Sequence, residues 1–399
     1  MIPEGMRDVL PPEGDELRAI EAALCRRFAA YGYGEVRTPW LEFAETLEAA
    51  ADDTLAAGYR VYDPQGRVLM VRTDMTVPVA RLAATRYRDK PLPLRFSYVA
   101  PSIRPWAPQR SQDGEFVQAG AELLGVCSAA ADAEAVALLC DCLAGAGLRE
   151  FRVSLGTVAF YAALVDSLGL TLDDQEKLLE ALADRDYPLL ESIAGNADVG
   201  DDALKALWRT LELSGTRDSL AQARKLANSA AMDAAIEHLV AVRDLVEEAG
   251  FRDTITFDFG LFQDLTYYSG LIFEAFAPGV GLPIASGGRY DGLLERFEWG
   301  IPGVGFAVAL DRLQEALGEA GAAPAAAPAL LTFVGGLEEP ARAAELRRAG
   351  WAVVAQPVGV EAAVRPLLRR EGGSYTLELA DGRTVGGGWR EVLRALEGA

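Results

Sequence analysis

Apolar positions recur with two different spacings along the chain, which predicts a mixture of helices and strands. Residues 14–33 carry apolar side chains every three or four positions and end in glycines, as an amphipathic helix does. Residues 94–100 and 115–124 alternate between apolar and polar side chains, as strands do. Residues 63–66, Asp-Pro-Gln-Gly, separate two short apolar runs, so we expect a hairpin whose second strand covers residues 68–71.

The same pattern divides the chain into domains. Leucines and alanines recur at helical spacing over about residues 158–250, with no strand signal, which predicts a helical insertion. Residues 321–329, GAAPAAAPA, have the composition of a linker. We therefore expect a large domain over residues 1–320 and a small α/β domain over residues 330–399. In the small domain we expect a helix over residues 360–370, between a strand and a hairpin.

Composition is that of a globular protein with room for two or three domains. The chain has 399 residues, 50% of them hydrophobic, and no run of 18 apolar residues without a charge. The first residues also lack the features of a signal peptide, so we expect a cytoplasmic protein without membrane contact. Its four cysteines, Cys25, Cys127, Cys140 and Cys142, are too few and too scattered for a disulfide framework. Since no histidine or second cysteine pair accompanies them, we expect no metal site and no cofactor.

Charge disfavours a nucleic-acid partner. The chain has 38 basic and 59 acidic residues, a formal net charge of −21, whereas binding to a polyanion depends on lysine and arginine at phosphates. The predicted C-terminal domain is not basic either. The only histidine, His238, lies in a strongly helical stretch, which favours a core or surface position over the role of a catalytic base.

Polar side chains gather at three places where strands are predicted. Asp74 and Thr76 follow one strand directly and precede a helix. Gln118 and Glu122 share one face of the next polar-faced strand, and Tyr268 lies beside a third. Each place has a simpler explanation: helix caps for the first pair, solvent exposure for the second, and a sheet tyrosine for the third. Their recurrence favours the floor of one pocket.

Seven sequence segments occur in an order shared with one enzyme family. They are PEGMRDVLP, VRTDMT, FSYVAPSIRPWAPQ, EFVQAGAELLG, LFQDLTYYSG, GGRYDGL and GVGFAVALDRL. In this order they resemble the class II aminoacyl-tRNA synthetases, and specifically histidyl-tRNA synthetase, over about residues 3–316. The resemblance implies an α+β fold in which a six-stranded antiparallel sheet is flanked by helices. It also implies a dimer contact around Pro39 and helices inserted between the second and third class II motifs.

The resemblance carries a histidine pocket onto particular residues. Asp74, Thr76 and Gln118 match positions that hold the α-ammonium group, and Glu122 and Tyr268 match positions that bind the imidazole nitrogens. Gln263 and Tyr267 complete the set of predicted histidine-binding residues, Gln263 standing where the synthetases place an arginine near the carboxylate. An ammonium group and ring N–H groups need carboxylate, amide and hydroxyl partners, which these side chains supply.

The catalytic residues of the synthetases do not carry over. Gln263 replaces the arginine that neutralises the carboxylate and α-phosphate during adenylate formation, so the electrostatic stabilisation of that step is lost. Arg104 remains in the second motif, but Pro105-Trp106 replaces its usual continuation. Arg312 remains in the third motif. The two arginines suit a residual phosphate or nucleotide contact, while Arg312 equally suits a structural salt bridge. We expect no catalytic residues.

These departures indicate a paralogue of the synthetases. The chain resembles the regulatory subunits of ATP phosphoribosyltransferase, which implies a protein that is not an enzyme and that assembles with a short-form catalytic subunit. It implies L-histidine as a feedback effector of the first step of histidine biosynthesis, a homodimer within a hetero-oligomer, and no tRNA or membrane partner. Two other functions stay open: an active histidyl-tRNA synthetase, and a synthetase-like protein for another amino acid or carrier.

Overall fold

The structure is a computed structural model, and its contacts divide the chain into two compact units, residues 1–325 and 326–399. The residues that it describes are 2–50, 58–105, 114–183, 186–196, 199, 201–215, 217–261, 268–321, 330–335, 339, 342–343, 345–346, 349, 351–356 and 366–397. Most of the predicted linker, residues 322–329, lies outside these ranges, so its conformation stays a prediction.

Helices of the first unit occupy the segments where the apolar spacing is three to four residues. They are α1 (Glu13–Ala30), α2 (Ala44–Ala50), α3 (Thr76–Arg86), α4 (Ala129–Gly145), α5 (Val158–Asp166), α6 (Leu172–Ala183), α7 (Tyr187–Asn196), α8 (Asp201–Leu211), α9 (Arg217–Leu226), α10 (Ala230–Glu248) and α11 (Leu310–Glu319). Ser128 caps α4, since its Oγ accepts a hydrogen bond from the N–H of Ala131 at 3.2 Å. The predicted helical insertion is thus confirmed as α5 to α10.

Strands of the first unit form one large sheet and one small sheet. They are β1 (Gly34–Glu35), β2 (Leu41–Phe43), β3 (Arg60–Tyr62), β4 (Val68–Val71), β5 (Leu94–Ile103), β6 (Glu115–Leu124), β7 (Arg152–Thr157), β8 (Ser214–Gly215), β9 (Ile255–Asp258), β10 (Leu271–Phe276), β11 (Ala285–Arg289) and β12 (Gly303–Ala309). The hairpin predicted around residues 63–66 is confirmed, because β3 and β4 pair antiparallel on either side of it.

The large sheet has the order β1-β5-β6-β12-β11-β10-β7-β9-β8. Its six middle strands are β5, β6, β12, β11, β10 and β7, and each pairs antiparallel with the next. This confirms the expected six-stranded antiparallel sheet. Two short parallel pairings, β1 with β5 and β7 with β9, extend it. The two-residue strand β8 corrects the expectation that residues 158–250 contain no strand. It is too short to show a period of two in the sequence.

One face of the large sheet is covered by helices. Phe257, Phe273 and Phe306 point from three strands into the same buried cluster as the apolar faces of α1, α4 and α10. Full burial of one such side chain contributes about 1.5–3 kcal/mol to folding. A second, smaller cluster joins the other face to α3 and the small sheet.

The second unit is a small mixed sheet with a C-terminal helix. Its strands are β13 (Leu330–Val334), β14 (Ala352–Gln356), β15 (Leu367–Glu371), β16 (Ser374–Glu378) and β17 (Thr384–Gly387), and its helix is α12 (Trp389–Glu397). The order is β14-β13-β15-β16-β17. The helix expected over residues 360–370 is wrong at its C-terminal end, where β15 pairs with both neighbours. Residues 357–365 lie outside the described ranges. An apolar run such as Leu367-Leu368 does not distinguish helix from strand by itself.

Within the described ranges, no helix combines the length and the apolar composition needed to cross a membrane.

Candidate functional site

Two of the predicted site residues lie on β6, on the face of the sheet opposite α1, α4 and α10, where α3 and the small sheet pack. We call this the open face. Gln118 and Glu122 alternate with buried Ala119, Ala121 and Leu123, which point toward the helical layer. The polar face of this strand is therefore not simply solvent-exposed: Glu122 is 1% exposed and Gln118 is half-buried. The Oε1 atom of Gln118 accepts a 3.4 Å hydrogen bond from the hydroxyl of Ser102 on the neighbouring strand.

Glycines on the neighbouring strands make room above this face. Gly305 on β12 pairs with Glu122, and Gly288 on β11 pairs with Gly305. A Cβ atom on Gly305 would overlap the carboxylate of Glu122, and one on Gly288 would come within 2.8 Å of the ring of Tyr268. The carboxyl group of Glu122 thus lies over Gly305 and the ring of Tyr268 over Gly288, on two neighbouring strands about 5 Å apart. We call these two glycines the glycine floor. The floor requires glycine because any side chain would fill the space.

Glu122 is a buried carboxyl group held by hydroxyl groups. Tyr98 donates a hydrogen bond to its Oε1 atom at 3.3 Å, and Tyr290 donates one to Oε2. Desolvation is the main cause that raises the pKa of Glu122 to about 8; the hydrogen bonds of Tyr290, Thr76 and Tyr98 oppose the rise, and the charge of Asp74 adds to it. Among the described residues, no lysine, arginine or histidine forms a salt bridge with this carboxyl group.

Asp74 and Thr76 reach the same place from the start of α3. Asp74 is buried, and its charge acts on both Glu122 and Tyr98. Thr76 hydrogen-bonds to both as well. The N-cap residue of α3 is Met75, so neither Asp74 nor Thr76 occupies that position. The role of this pair in ligand binding stays a prediction.

Tyr268 is half-buried and contacts both apolar clusters of the first unit. This position at the border of the two clusters is compatible with a sheet tyrosine and with a pocket residue, so its role in histidine binding stays a prediction. Gln263 and Tyr267, the remaining predicted histidine-binding residues, lie outside the described residues, so their roles stay predictions.

The two arginines of the second and third motifs have protein partners. Arg104 donates from Nε to the carbonyl of Thr73 at 2.9 Å, and its guanidinium group lies 5.1 Å from the ring centre of Phe116. It therefore lies next to the Asp74 segment. Arg312 donates to the carbonyl of Pro283 at 2.8 Å, at the end of β11 remote from Gly288. A phosphate contact at either arginine stays a prediction.

Sequence reasoning missed two tyrosines that shape the site. Tyr98 and Tyr290 are almost fully buried, yet their hydroxyl groups converge on Glu122. Tyr98 could have been found because it lies opposite Gly120, on the polar face of β5 and β6. Tyr290 carried no such signal, since it follows the end of β11, 168 residues from Glu122.

A second buried carboxylate lies on the opposite face of the sheet. Asp132 on α4 is fully buried and accepts hydrogen bonds from the guanidinium group of Arg289, including one from Nε at 2.9 Å. His238 on α10 places its Nε2 atom 2.6 Å from Oδ2 of Asp132. The sole histidine is thus helical and half-buried, as expected, and contacts a structural carboxylate. Among the described residues, no three His, Cys, Asp or Glu side chains are grouped to hold a metal ion.

Comparisons with known proteins agree with the geometry. The histidyl-tRNA synthetase family model matches residues 5–313. An ATP phosphoribosyltransferase regulatory subunit of Moorella thermoacetica is 40% identical over 360 residues, which are 88% of this chain and 91% of that protein. The crystal structure of an ATP phosphoribosyltransferase regulatory subunit/histidyl-tRNA synthetase from Bacillus halodurans C covers 91% of this chain and 94% of its own, with 30% identity and a TM-score of 0.79. Histidyl-tRNA synthetase from Nostoc sp. PCC 7120, at 18% identity, has the same fold over 100% of this chain and 98% of its own, with a TM-score of 0.79.

The fold and the matched family define a histidyl-tRNA synthetase-like protein of the class II type. Within that class, the chain belongs to the family of ATP phosphoribosyltransferase regulatory subunits. The resemblance found in the sequence is thereby confirmed, and so is a regulatory rather than an enzymatic role.

Proposed function

We propose that the chain binds L-histidine on the glycine floor and transmits its presence to a short-form catalytic ATP phosphoribosyltransferase subunit. The ammonium group of the ligand lies at Asp74, Thr76 and Gln118, and the imidazole ring lies between Glu122 and Tyr268. Gln263 and Tyr267 belong to the same proposed site. Bound histidine lowers the activity of the complex, since an effector that binds one state more tightly shifts the equilibrium toward that state.

The observation that carries this proposal is the buried Glu122. A fully buried carboxyl group whose pKa is raised by desolvation costs free energy in the empty protein, and proteins keep such groups mainly at functional sites. An imidazole N–H of the ligand beside Glu122 would add a donor from the ligand to those of the tyrosines and would favour the ionised form of this carboxyl group. One charge-assisted hydrogen bond of this kind contributes about 1.5–3 kcal/mol.

The role of Gln263 follows from its chemistry. A neutral amide holds the carboxylate of histidine less strongly than an arginine would, and it does not stabilise the charge that builds up when an adenylate forms. A sensor needs only to respond near the cellular concentration of its effector, so it tolerates the weaker hold. Arg104 and Arg312 each donate a hydrogen bond to a backbone carbonyl. These bonds support a structural role for both arginines that does not require ATP.

The burial pattern of β2 supports a homodimer, which is part of the proposal, because its apolar side chains are exposed and its acidic side chain is buried. On β2, Leu41 and Phe43 are 41% and 37% exposed, whereas Glu42 between them is buried and bonded to Arg81 at 2.6 Å. Trp40 beside them is 55% exposed. An apolar sheet face turned outward next to Pro39 is suited to contact the same face of a second copy. The acidic surface of the chain gives no support for tRNA as a further partner.

The proposal is tested with the purified chain and a short-form catalytic ATP phosphoribosyltransferase subunit. We expect the two to co-purify, and we expect histidine to inhibit the mixture more strongly than the catalytic subunit alone. Aminoacylation of tRNA by the chain would overturn the regulatory proposal. Calorimetry against the twenty amino acids checks the ligand, because a tighter ligand than histidine would contradict the pocket assignment.

A further inference from the structure

The sole histidine of the chain belongs to a buried cluster that joins three elements. Asp132, in the first turn of α4, is fully buried. Arg289, the last residue of β11, donates to it from Nε at 2.9 Å and also from Nη2, and it bonds to Asp291 at 2.9 Å. His238 of α10 occupies the second carboxylate oxygen of Asp132 at 2.6 Å. We call these three residues, Asp132, Arg289 and His238, the brace.

The brace lies directly behind the proposed pocket. Residues alternate between the two faces at the end of β11, so that Arg289 points to the helices while its neighbours point to the open face. Gly288 lies beneath the ring of Tyr268, and Tyr290 bonds to Glu122. One arginine thus fixes the strand end whose neighbouring residues contact Tyr268 and Glu122, the two sides of the proposed imidazole site.

The backbone reinforces this arrangement. The carbonyl of Arg289 accepts a 2.7 Å hydrogen bond from the N–H of Ser269, the residue after Tyr268. The hydroxyl of Ser269 in turn accepts a bond from the N–H of Asp291 at 2.9 Å. Displacement of Arg289 would therefore displace Tyr268 from one side and Tyr290 from the other.

We propose that His238 is a positioning residue for the effector site, which acts through Asp132 and Arg289 on Tyr268 and Tyr290. This proposal rests on the proposed histidine site. His238 orients the carboxylate of Asp132, so that the oxygen facing Arg289 stays aligned with the guanidinium group. Because α10 belongs to the helical insertion, the brace also links this insertion to the pocket, and occupation of the pocket is expected to slow amide exchange in α10.

The test uses the full chain and three variants. His238→Gln keeps a side-chain N–H donor, and His238→Leu removes it with little change of volume. Glu237→Gln is the matched control, since it alters the adjacent residue of the same helix, whose side chain is 63% exposed and paired with Arg224. Calorimetry measures the dissociation constant for L-histidine, and amide hydrogen exchange is followed with and without it.

We expect His238→Leu to weaken histidine binding by about three- to tenfold, as loss of one hydrogen bond does. We also expect it to abolish the ligand-induced slowing of exchange in α10. His238→Gln should stay within about twofold of the wild type, and Glu237→Gln should equal it. Wild-type affinity and exchange in His238→Leu would overturn the proposal, as would an equal loss in His238→Gln. His238→Ala, which adds no apolar surface and favours the helix, repeats the test if His238→Leu does not fold.

Exchange in the ligand-free protein separates this proposal from the function on which it rests. If wild-type chain binds no histidine, the proposed function fails. The positioning role is then judged on the amides of Ser269 and Tyr290, which bond to the carbonyls of Arg289 and Gly303. Faster exchange of both amides in His238→Leu than in Glu237→Gln supports the brace, and equal exchange overturns it.

Discussion

The two faces of the large sheet each bury a carboxyl group, and they stabilise it in opposite ways. Asp132 lies behind the sheet, where Arg289 and His238 occupy both of its oxygens. Glu122 lies on the open face, where hydroxyl groups of two tyrosines and of Thr76 are its bonded partners and burial raises its pKa to about 8. A buried acid matched by a guanidinium cation, as Asp132 is by Arg289, holds helices and strands together. A buried acid without a cation leaves a position that a ligand with N–H groups can fill.

The largest expected effect is on the free energy of unfolding when Glu122, the buried acid of the proposed pocket, is replaced. The pKa of Glu122 is about 8 in the folded protein against an ordinary 4.5, so its neutral form is favoured by folding. This contribution is complete below pH 4.5 and is lost as the pH rises through 8. Glu122→Gln is neutral throughout, so its free energy of unfolding should exceed that of the wild type by up to about 5 kcal/mol above pH 8.

Urea unfolding of both proteins between pH 4 and pH 9 measures this difference. We expect the two free energies of unfolding to lie within about 1 kcal/mol of each other at pH 4 and to separate as the pH rises. A constant difference across the range would show that Glu122 is not a neutral buried acid.

The next largest effect on the free energy of unfolding is expected when Asp132, the acid paired with Arg289, is neutralised. Asp132→Asn leaves Arg289 buried beside a neutral amide, which should lower the free energy of unfolding by about 3 kcal/mol. Asp311→Asn is the control, because Asp311 also pairs with an arginine, Arg7, but that arginine is 45% exposed. The control should cost less than about 1 kcal/mol. Equal losses in the two variants would refute the special role of the buried pair.

Neutralising a half-buried acid should cost less free energy of unfolding than Asp132→Asn and more than Asp311→Asn. Glu134 accepts two bonds from Arg95, at 2.8 and 2.9 Å, and one from Tyr33 at 2.9 Å. Burial raises the pKa of Glu134, but these bonds more than offset it, so the pKa lies below its ordinary value. Its stabilisation is present above pH 4.5 and is lost as the pH falls, which is the opposite sign to Glu122.

We expect Glu134→Gln to cost about 1–2 kcal/mol at pH 7 and less at pH 3. Thermal unfolding at the two pH values checks this dependence. A cost that grows toward low pH would contradict it.

The smallest effect on stability is expected at Tyr268. Tyr268→Phe keeps the ring above Gly288 and removes only a hydroxyl group, so the unfolding temperature should stay nearly constant. Histidine affinity should fall about tenfold, the value of one ligand hydrogen bond of about 1.4 kcal/mol. Ligand titration of the variant measures it, and unchanged affinity would remove Tyr268 from the site.

Secondary structure was predicted best in segments long enough for the spacing of apolar side chains to repeat several times. Strand β6 was expected over residues 115–124 and has these bounds, because residues 117–123 alternate between apolar side chains and the polar or small residues Gln118, Gly120 and Glu122. The helix expected over residues 360–370 failed where Leu367 and Leu368 fit either structure. The brace was not predictable, since 157 residues separate Asp132 from Arg289 and no local pattern joins them. The ligand-binding roles of Asp74, Thr76 and Glu122 were predicted from the resemblance to the family motifs. Local periodicity alone predicted only where polar side chains lie on or beside the strands.

The most direct test of the account is calorimetric titration of L-histidine into the wild-type chain and Glu122→Gln at pH 7. We expect saturable binding by the wild type and a loss of affinity of at least about tenfold in the variant, although the variant is the more stable protein at that pH. Equal affinity in the two proteins would contradict the claim that the buried carboxyl group on the open face exists to receive the ligand.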